Sequence, residues 1–335
     1  MSMNKFEKFN NEIKTYFRSE VVTNLSPSTS HRSRCEFSYY DNHYAMHGPN
    51  KKLLLKSFPL AASCIKKVMP RLIKEINNSS ELNERLFQIN FRSNKDNKVM
   101  VTLIYHKKIN ESLIALINNL SKKYDLLLIA RSKNFVYSTN QMYLDNLIDG
   151  YINYQTDNCF YQPNKFLLEM MIEKVSEMVI NPKDLLEIYC GIGTFTLSLS
   201  KIFSKVFATE NNRSAIKCLK KAMNENQIHN IMHARLSAEE VCDAFHGKKF
   251  FRLNEIDINS LDISHVLVDP PRSGLTYEVI DLIKNFKNII YISCNPETYL
   301  RDIKKLKNHK LKNVEIFDQF PNTEHLEIVS LLEAS

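Results

Sequence analysis

Cys294 lies in the stretch YISCNPETYL, residues 291–300, where an apolar run ends and Pro296 forbids the next ladder hydrogen bond. Ile289, Ile290, Tyr291 and Ile292 read as a short buried strand, which places the thiol on the loop just past a carboxyl end. In open α/β sheets that edge is where ligands are handled. From the residues alone, Cys294 stands evenly between an inert packing thiol and a nucleophile, because no base or charged partner can be located by spacing. Asp269-Pro270-Pro271-Arg272-Ser273-Gly274 follows a second apolar run, HVLVD, so two prolines hold a carboxylate and a guanidinium rigidly beside a strand end. LLEIYCGIGTFTLSL passes from a third apolar strand through Gly191-Ile192-Gly193 into an amphipathic helix, where backbone can approach a ligand at a helix amino terminus.

Seventeen residues beyond Gly193 (210 minus 193), the strand VFATE ends in Glu210, a carboxylate able to accept both hydroxyls of a ribose. The third glycine of the dinucleotide fingerprint is replaced by Thr196. The full fingerprint brings backbone against a pyrophosphate, whereas E-x-x-x-G-x-G with an acid on the second strand suits a nucleoside without one. S-adenosylmethionine is such a ligand. An isolated G-x-G would read as a tight turn; here strand, turn, helix and acid occur in order in a chain with only six glycines.

Two different patterns must position these groups. Through residues 1–160, EFSYYDNHYAMHG, KKLLLKSF, LFQINFRSN, KVMVTLIYHKK, LLLIARSKNFVYST and DGYINYQTDNCFY are β-branched and aromatic runs of a largely antiparallel sheet. Helical periodicity over Pro59 to Ile76 and Glu111 to Leu120 covers one face of it, giving an α+β domain. Residues 161–335 alternate strand and helix: helix 164–179, LLEIY, helix TFTLSLSKIF, KVFATE, helix SAIKCLKKAMNEN, IMHARL, HVLVD, helix TYEVIDLIKNF, NIIYIS and helix ETYLRDIKKLK. That order predicts a mostly parallel α/β sheet, with NVEIF and HLEIVSLLEA closing it as an antiparallel hairpin on its edge.

Composition narrows the function classes. A chain of 335 residues with 44% hydrophobic content has room for two cores, and a net charge of +8 permits a polyanionic partner without requiring one. Seven scattered cysteines without a CxxC pair predict neither a disulfide framework nor a metal or iron–sulfur cluster. MSMNKFEKFNNEIKTYF has no apolar export core, and Glu7 and Glu12 oppose a transit peptide, so the expected compartment is the cytoplasm. No apolar run approaches the roughly 18 residues of a spanning helix.

VDPPRSGL, YISCNPETYL and DQFPNTEHLE, with FYQPN, EIYCGIGTF, LFQI and LIYHKK, closely resemble the tRNA (uracil-5-)-methyltransferases of the TrmA family over nearly the whole chain. Related ribosomal-RNA enzymes carry a clustered cysteine set and often an extra amino-terminal barrel, which this chain lacks. The resemblance implies a Rossmann-like class I methyltransferase domain over 161–335 and an RNA-binding α+β domain over 1–160. It implies that Cys294 is the nucleophile and Glu327 the proton acceptor, with Gln162, Tyr189, Thr194, Glu210 and Asp269 lining the S-adenosylmethionine site. Thr194 stands where close relatives often have Asn. Phe87, Gln88 and His106 match the family's RNA contacts, and Ser38 replaces an arginine common after the EF pair.

The implied reaction is methylation of carbon 5 of uridine in tRNA, at T-loop position 54, with other T-loop-like RNAs as further partners. Its chemistry asks for these residue types: a thiolate must add to carbon 6 before carbon 5 can attack a sulfonium methyl, and a base must then remove the carbon 5 proton. Arg272 is placed to steady the thiolate or the enolate. Two alternatives remain at this stage. Another nucleobase methyltransferase, for ribosomal uridine or cytosine, would differ in product; a tRNA-folding chaperone retaining the pocket would form none.

Overall fold

The computed structural model describes residues 5–48, 51–321 and 323–335; Asn322 of DQFPNTEHLE and the first four residues of the amino-terminal stretch lie outside them. The chain forms two compact units: Met1–Ser26, Leu147–Asn153 and Phe166–Ser335 make one, and Pro27–Asn146 with Tyr154–Lys165 the other. This corrects a boundary at 160/161. The reason is long-range pairing: Val22–Asn24 adds a parallel edge strand beside His309–Phe317, and the helix Lys5–Phe17 buries Phe9 and Ile13 in the core of the same sheet.

That unit is built on eight strands in the order Val22–Asn24, His309–Phe317, Glu327–Ala334, Asn288–Ser293, Ile263–Val268, Asp184–Ile188, Lys205–Thr209, Ile231–Ala234. Strand–helix alternation gives parallel pairing from Ile231–Ala234 through to Asn288–Ser293, as the sequence predicts. Only Glu327–Ala334 runs antiparallel, inserted between Asn288–Ser293 and His309–Phe317. The closing hairpin is therefore interior to the sheet, and the edge belongs to Val22–Asn24. Helices Ala238–Phe245, Tyr277–Ile283, Pro296–Ile303 and Lys5–Phe17 cover one face through a continuous apolar cluster including Val241, Ile280, Tyr299 and Phe9.

The second unit has a seven-stranded sheet ordered Lys52–Leu55, His43–His47, Arg34–Tyr40, Leu86–Ser93, Val99–Tyr105, Leu126–Ser132, Phe135–Ser138. All neighbours are antiparallel except Val99–Tyr105 and Leu126–Ser132, which the helix Glu111–Tyr124 joins. That helix and Ser63–Asn77 bury Leu113, Ile117, Ile65 and Leu72 against Phe37, Phe91 and Val101, which bears out the α+β reading. Among the described residues no helix is long and apolar enough to cross a membrane.

Several helices are shorter than their periodicity predicts. The one expected over 194–203 stops at Leu199, where the Ser200 hydroxyl turns back to the Leu197 carbonyl at 2.7 Å and competes with the helix ladder. The one expected from Pro59 begins at Ser63, because Leu60 and Ala62 exchange backbone hydrogen bonds with Arg32. The one expected over 164–179 spans Leu168–Glu177.

Gly193 begins the short helix Thr194–Leu199 at φ +88°, and a β-carbon there would drive into the Leu219 side chain of Arg213–Glu225. Gly191, at φ +57°, has open space where its β-carbon would be. Gly193→Ala is expected to destabilise the protein by about 3 kcal/mol, combining left-handed strain with overpacking, and Gly191→Ala by about 1 kcal/mol from strain alone. Urea unfolding of the two variants checks the difference; equal losses would contradict the Leu219 contact as the cause.

Candidate active site

The carboxyl edge of the parallel sheet gathers the site. Asp184–Ile188 is flanked by Lys205–Thr209 on one side and Ile263–Val268 on the other, so the chain leaves this strand in one direction and later returns on the other side. Such a switch point opens a crevice at the carboxyl ends. Into it turn Tyr189 and Gly191 after the first strand, Glu210 after the second and Asp269 after the third. Tyr189 holds φ +67°, a conformation costing a bulky residue about 1–3 kcal/mol and typical of backbone forced into place at a site. Thr194 opens the following helix and is buried.

Glu210 is clamped before any ligand arrives. One carboxylate oxygen accepts the Gly191 N–H at 3.1 Å and the other the Asn212 N–H at 2.6 Å. These bonds fix both oxygens at the glycine turn and leave lone pairs for two vicinal hydroxyls. These acceptors therefore fit the hydroxyls of the ribose of an adenosyl ligand. Glu187, the acid of E-x-x-x-G-x-G to which the sequence assigned no role, lies beneath the turn with 1% exposure, and burial pushes its carboxyl up to about 8. An acid inside the apolar run LLEIY was the available signal.

Cys294 and Glu327 meet across the antiparallel pair. The last paired rung joins Ser293 to Ile328, so the next positions outward, Cys294 and Glu327, stand opposite each other. Read alone, Glu327 looks like an acid on an exposed edge strand; its strand is interior, and it is 3% exposed. Burial, then the neighbouring Asp269, raise its carboxyl well above the ordinary range, while Arg272 opposes them. Asp269 keeps some accessible surface, yet enclosure and the Glu210 charge push it up to about 7. Burial, Glu327 and Asp269 together push the Cys294 thiol up to about 11, and the Arg272 guanidinium is the group that pulls it down.

Arg272 is positioned by its own loop. Its carbonyl accepts from Asn295 Nδ2 at 3.0 Å and Thr298 Oγ1 at 3.2 Å, and its Nη2 lies 3.2 and 3.0 Å from the two ring nitrogens of His325. Nearly equal distances to both nitrogens put the guanidinium across the imidazole ring. The loop is held from below by Asp302, which is fully buried and accepts the Leu275 N–H and the Tyr291 hydroxyl, each at 2.8 Å. Arg301 ties Asp302 to the Ser273 carbonyl. Gly274, at φ +76°, is required because a β-carbon would come within 2.5 Å of Asp302. Tyr291 carried no signal in the sequence beyond lying in YISCNPETYL, and Arg301 and Asp302, just after it, carried none.

In the other unit, Phe87 and His106 stack with ring centroids 4.3 Å apart and planes 16° apart. A register shift between Leu86 and Gln88 turns Phe87 outward to 44% exposure. Gln88 donates to Asn90 Oδ1 at 2.8 Å. Gln162 lies on the Tyr154–Lys165 segment of this unit and is buried, apart in the chain division from the residues it was expected to join.

The thiol's surroundings set its reactivity. With Cys294 near 11, the thiolate fraction, and with it the iodoacetamide alkylation rate, is expected to rise about tenfold per pH unit from pH 7 to 9 without a plateau. Where Glu327 is ionised, toward the upper end of that range, Glu327→Gln removes a charge that raises the thiol and should speed alkylation, whereas Arg272→Ala should slow it. A plateau below pH 8 in the unsubstituted protein, or opposite signs for the variants, would contradict this electrostatic balance.

Residues 2–335 match the family model described as tRNA (Uracil-5-)-methyltransferase. Two proteins named tRNA/tmRNA (uracil-C(5))-methyltransferase are similar over most of their length: one from Campylobacter lari, 42% identical over 92% of each chain, and one from Campylobacter concisus, 41% identical over 92% of this chain and 88% of that protein. The crystal structure of Pyrococcus abyssi tRNA (uracil-54, C5)-methyltransferase in complex with S-adenosyl-L-homocysteine shares the fold, with a TM-score of 0.77 at 21% identity over 98% of this chain and 82% of that one. On the whole-chain match and these identities, the chain belongs to the tRNA (uracil-5-)-methyltransferase family of enzymes.

Proposed function

We propose that this enzyme methylates carbon 5 of the T-loop uridine at position 54 of tRNA through a covalent bond between Cys294 Sγ and carbon 6. The observation that carries the reading is the Ser293–Ile328 rung, beyond which Cys294 and Glu327 stand opposite each other at the same sheet end as the Gly191 turn and Asp269. A nucleophile and a base on facing strands can address adjacent ring carbons of one flat base. Substrate class follows the family and the relatives named tRNA/tmRNA (uracil-C(5))-methyltransferase, which extend it to tmRNA.

Tyr189, Gly191, Gly193, Thr194, Glu210 and Asp269 would hold S-adenosylmethionine, with Gln162 also a proposed ligand, and the cofactor when bound would supply an electrophilic methyl group. Cys294 adds to carbon 6 as the thiolate, and Arg272 steadies first that anion and then the enolate it creates. Once carbon 5 carries the methyl group, Glu327 takes the remaining proton from it. The electron pair of that C–H bond restores the 5,6 double bond and expels the thiolate. A carboxylate raised by burial is a stronger base than one in water, which suits this last step.

The uridine must leave its stack to reach the thiol. Phe87, exposed and stacked on His106, offers a ring face to a neighbouring base, with Gln88 and Lys108 for edges and phosphates. The α+β unit is thus the proposed RNA grip. All seven cysteines are unpaired, in keeping with a cytoplasmic enzyme.

Incubation with labelled S-adenosylmethionine and unmodified tRNA, followed by digestion to nucleosides, is expected to give 5-methyluridine. Cys294→Ala should bind cofactor and form no product. Glu327→Gln should accumulate protein covalently bound to methylated RNA that survives denaturing gels. Label in 5-methylcytidine, or turnover by Cys294→Ala, would overturn the reading, and improved tRNA folding without any product would indicate a chaperone.

A further inference from the structure

The thiol opens into a cleft of about 670 Å³ whose far wall is the amino-terminal helix Lys5–Phe17. Helical spacing sets Lys5, Lys8, Phe9 and Glu12 on one face of that helix, toward the cleft. Phe9 anchors it against Tyr299 of Pro296–Ile303, with ring centroids 6.0 Å apart. The cleft thus runs from Cys294 between two helices, and its charged lining has five cations, Lys5, Lys8, Arg272, Arg301 and Lys304, against three carboxylates, Glu12, Glu297 and Glu324.

Most of those cations are already committed. Lys5 pairs with Asp318 at 2.7 Å and also donates to the Phe320 and His325 carbonyls, pinning the loop before Glu327. Arg301 pairs with the buried Asp302, and Arg272 attends Cys294. Among the described residues Lys8 and Lys304 form no ion pair, and both are exposed. Lys304 is nevertheless ordered: its Nζ sits 3.8 Å from the ring centroid of Tyr16, itself 61% exposed. It closes the helix that starts two residues after Cys294, and eight helical residues at about 1.5 Å each place it about 12 Å down the cleft from that end.

We propose that Lys8 and Lys304 form a phosphate clamp, binding the sugar-phosphate strand that flanks the target uridine as it passes from the thiol along the cleft. This rests on the RNA reading above. A nucleotide whose base reaches Cys294 brings its own phosphates into the cleft. Two ammonium groups free of ion pairs on facing helices, one of them resting on the exposed Tyr16 ring, match a single strand's need for phosphate contacts beside a stacking face. Lysine suits this role, since a phosphate contact needs a mobile point charge and reads no sequence.

The test compares the full-length protein with Lys8→Met, Lys304→Met and the double variant, using unmodified tRNA over a range of salt concentrations. Each lost phosphate contact should reduce the slope of log affinity against log salt by about 1, so the double variant should lose about 2. Its KM for tRNA should rise roughly tenfold at moderate salt with kcat at saturating tRNA within about twofold, and Lys8→Glu should be worse than Lys8→Met. Iodoacetamide reactivity of Cys294 and cofactor binding, which report an intact unit, should not change. An unaltered salt slope and KM in the double variant, while the unsubstituted protein forms 5-methyluridine, would overturn the clamp and leave the function standing. Absence of 5-methyluridine with the unsubstituted protein would overturn both.

Discussion

The rung that joins Ser293 to Ile328 fixes what this active site can do. Strands that alternate side chains between faces have a period of two, so a slip of one residue in Glu327–Ala334 would turn Glu327 to the opposite face from its present one and bring Leu326 or Ile328 opposite Cys294. The register is held on both sides. Glu327–Ala334 lies between Asn288–Ser293 and His309–Phe317, with Ile328, Val329 and Leu331 buried along it. The loop that feeds Glu327 is in turn fastened to the amino-terminal helix through Lys5, Asp318 and the His325 carbonyl. Placement of Glu327 opposite Cys294 is thus a consequence of packing between segments far apart in the chain.

That placement has an electrostatic cost which the rest of the edge manages. Glu327 and Asp269 both disfavour the thiolate of Cys294, Asp269 disfavours the carboxylate of Glu327, and Glu210 that of Asp269. One guanidinium, Arg272, offsets them, and its position depends on a layer of neutral and charged hydrogen bonds: Asn295 and Thr298 to its carbonyl, His325 against its head, and Asp302 with Arg301 and Tyr291 under the following turn. A site in this state keeps the thiol protonated until positive charge or substrate arrives.

The alternation of strands and helices over the second half of the chain, and the turn at Gly191 and Gly193 with its acid at Glu210, were legible because each is a local pattern of period, glycine and strand end. Cys294 was legible as accessible, though its reactivity was not, since the groups that control it come from Asp269, Arg272 and Glu327, none of them near it in sequence. Glu327 looked like a surface acid because hydropathy around it describes a strand without saying which strands flank it. The role of residues 5–24 was hidden for the same reason: an amphipathic helix and a three-residue strand gain meaning only through Tyr299, Asp318 and Glu315 far downstream. The network around Asp302 left no trace because a buried aspartate in a helix reads as an ordinary polar position.

The central claim, that Cys294 bonds to carbon 6 while Glu327 waits for a proton at carbon 5, is tested most directly with tRNA carrying 5-fluorouridine. Fluorine at carbon 5 leaves the base without a proton for Glu327 to remove, so the reaction should stop after methyl transfer with Cys294 still attached. Mass spectrometry of the digested adduct is expected to find methylated 5-fluorouridine on the peptide containing Cys294. Absence of any adduct while unsubstituted tRNA is methylated, or attachment at Cys190 or another cysteine, would contradict the account.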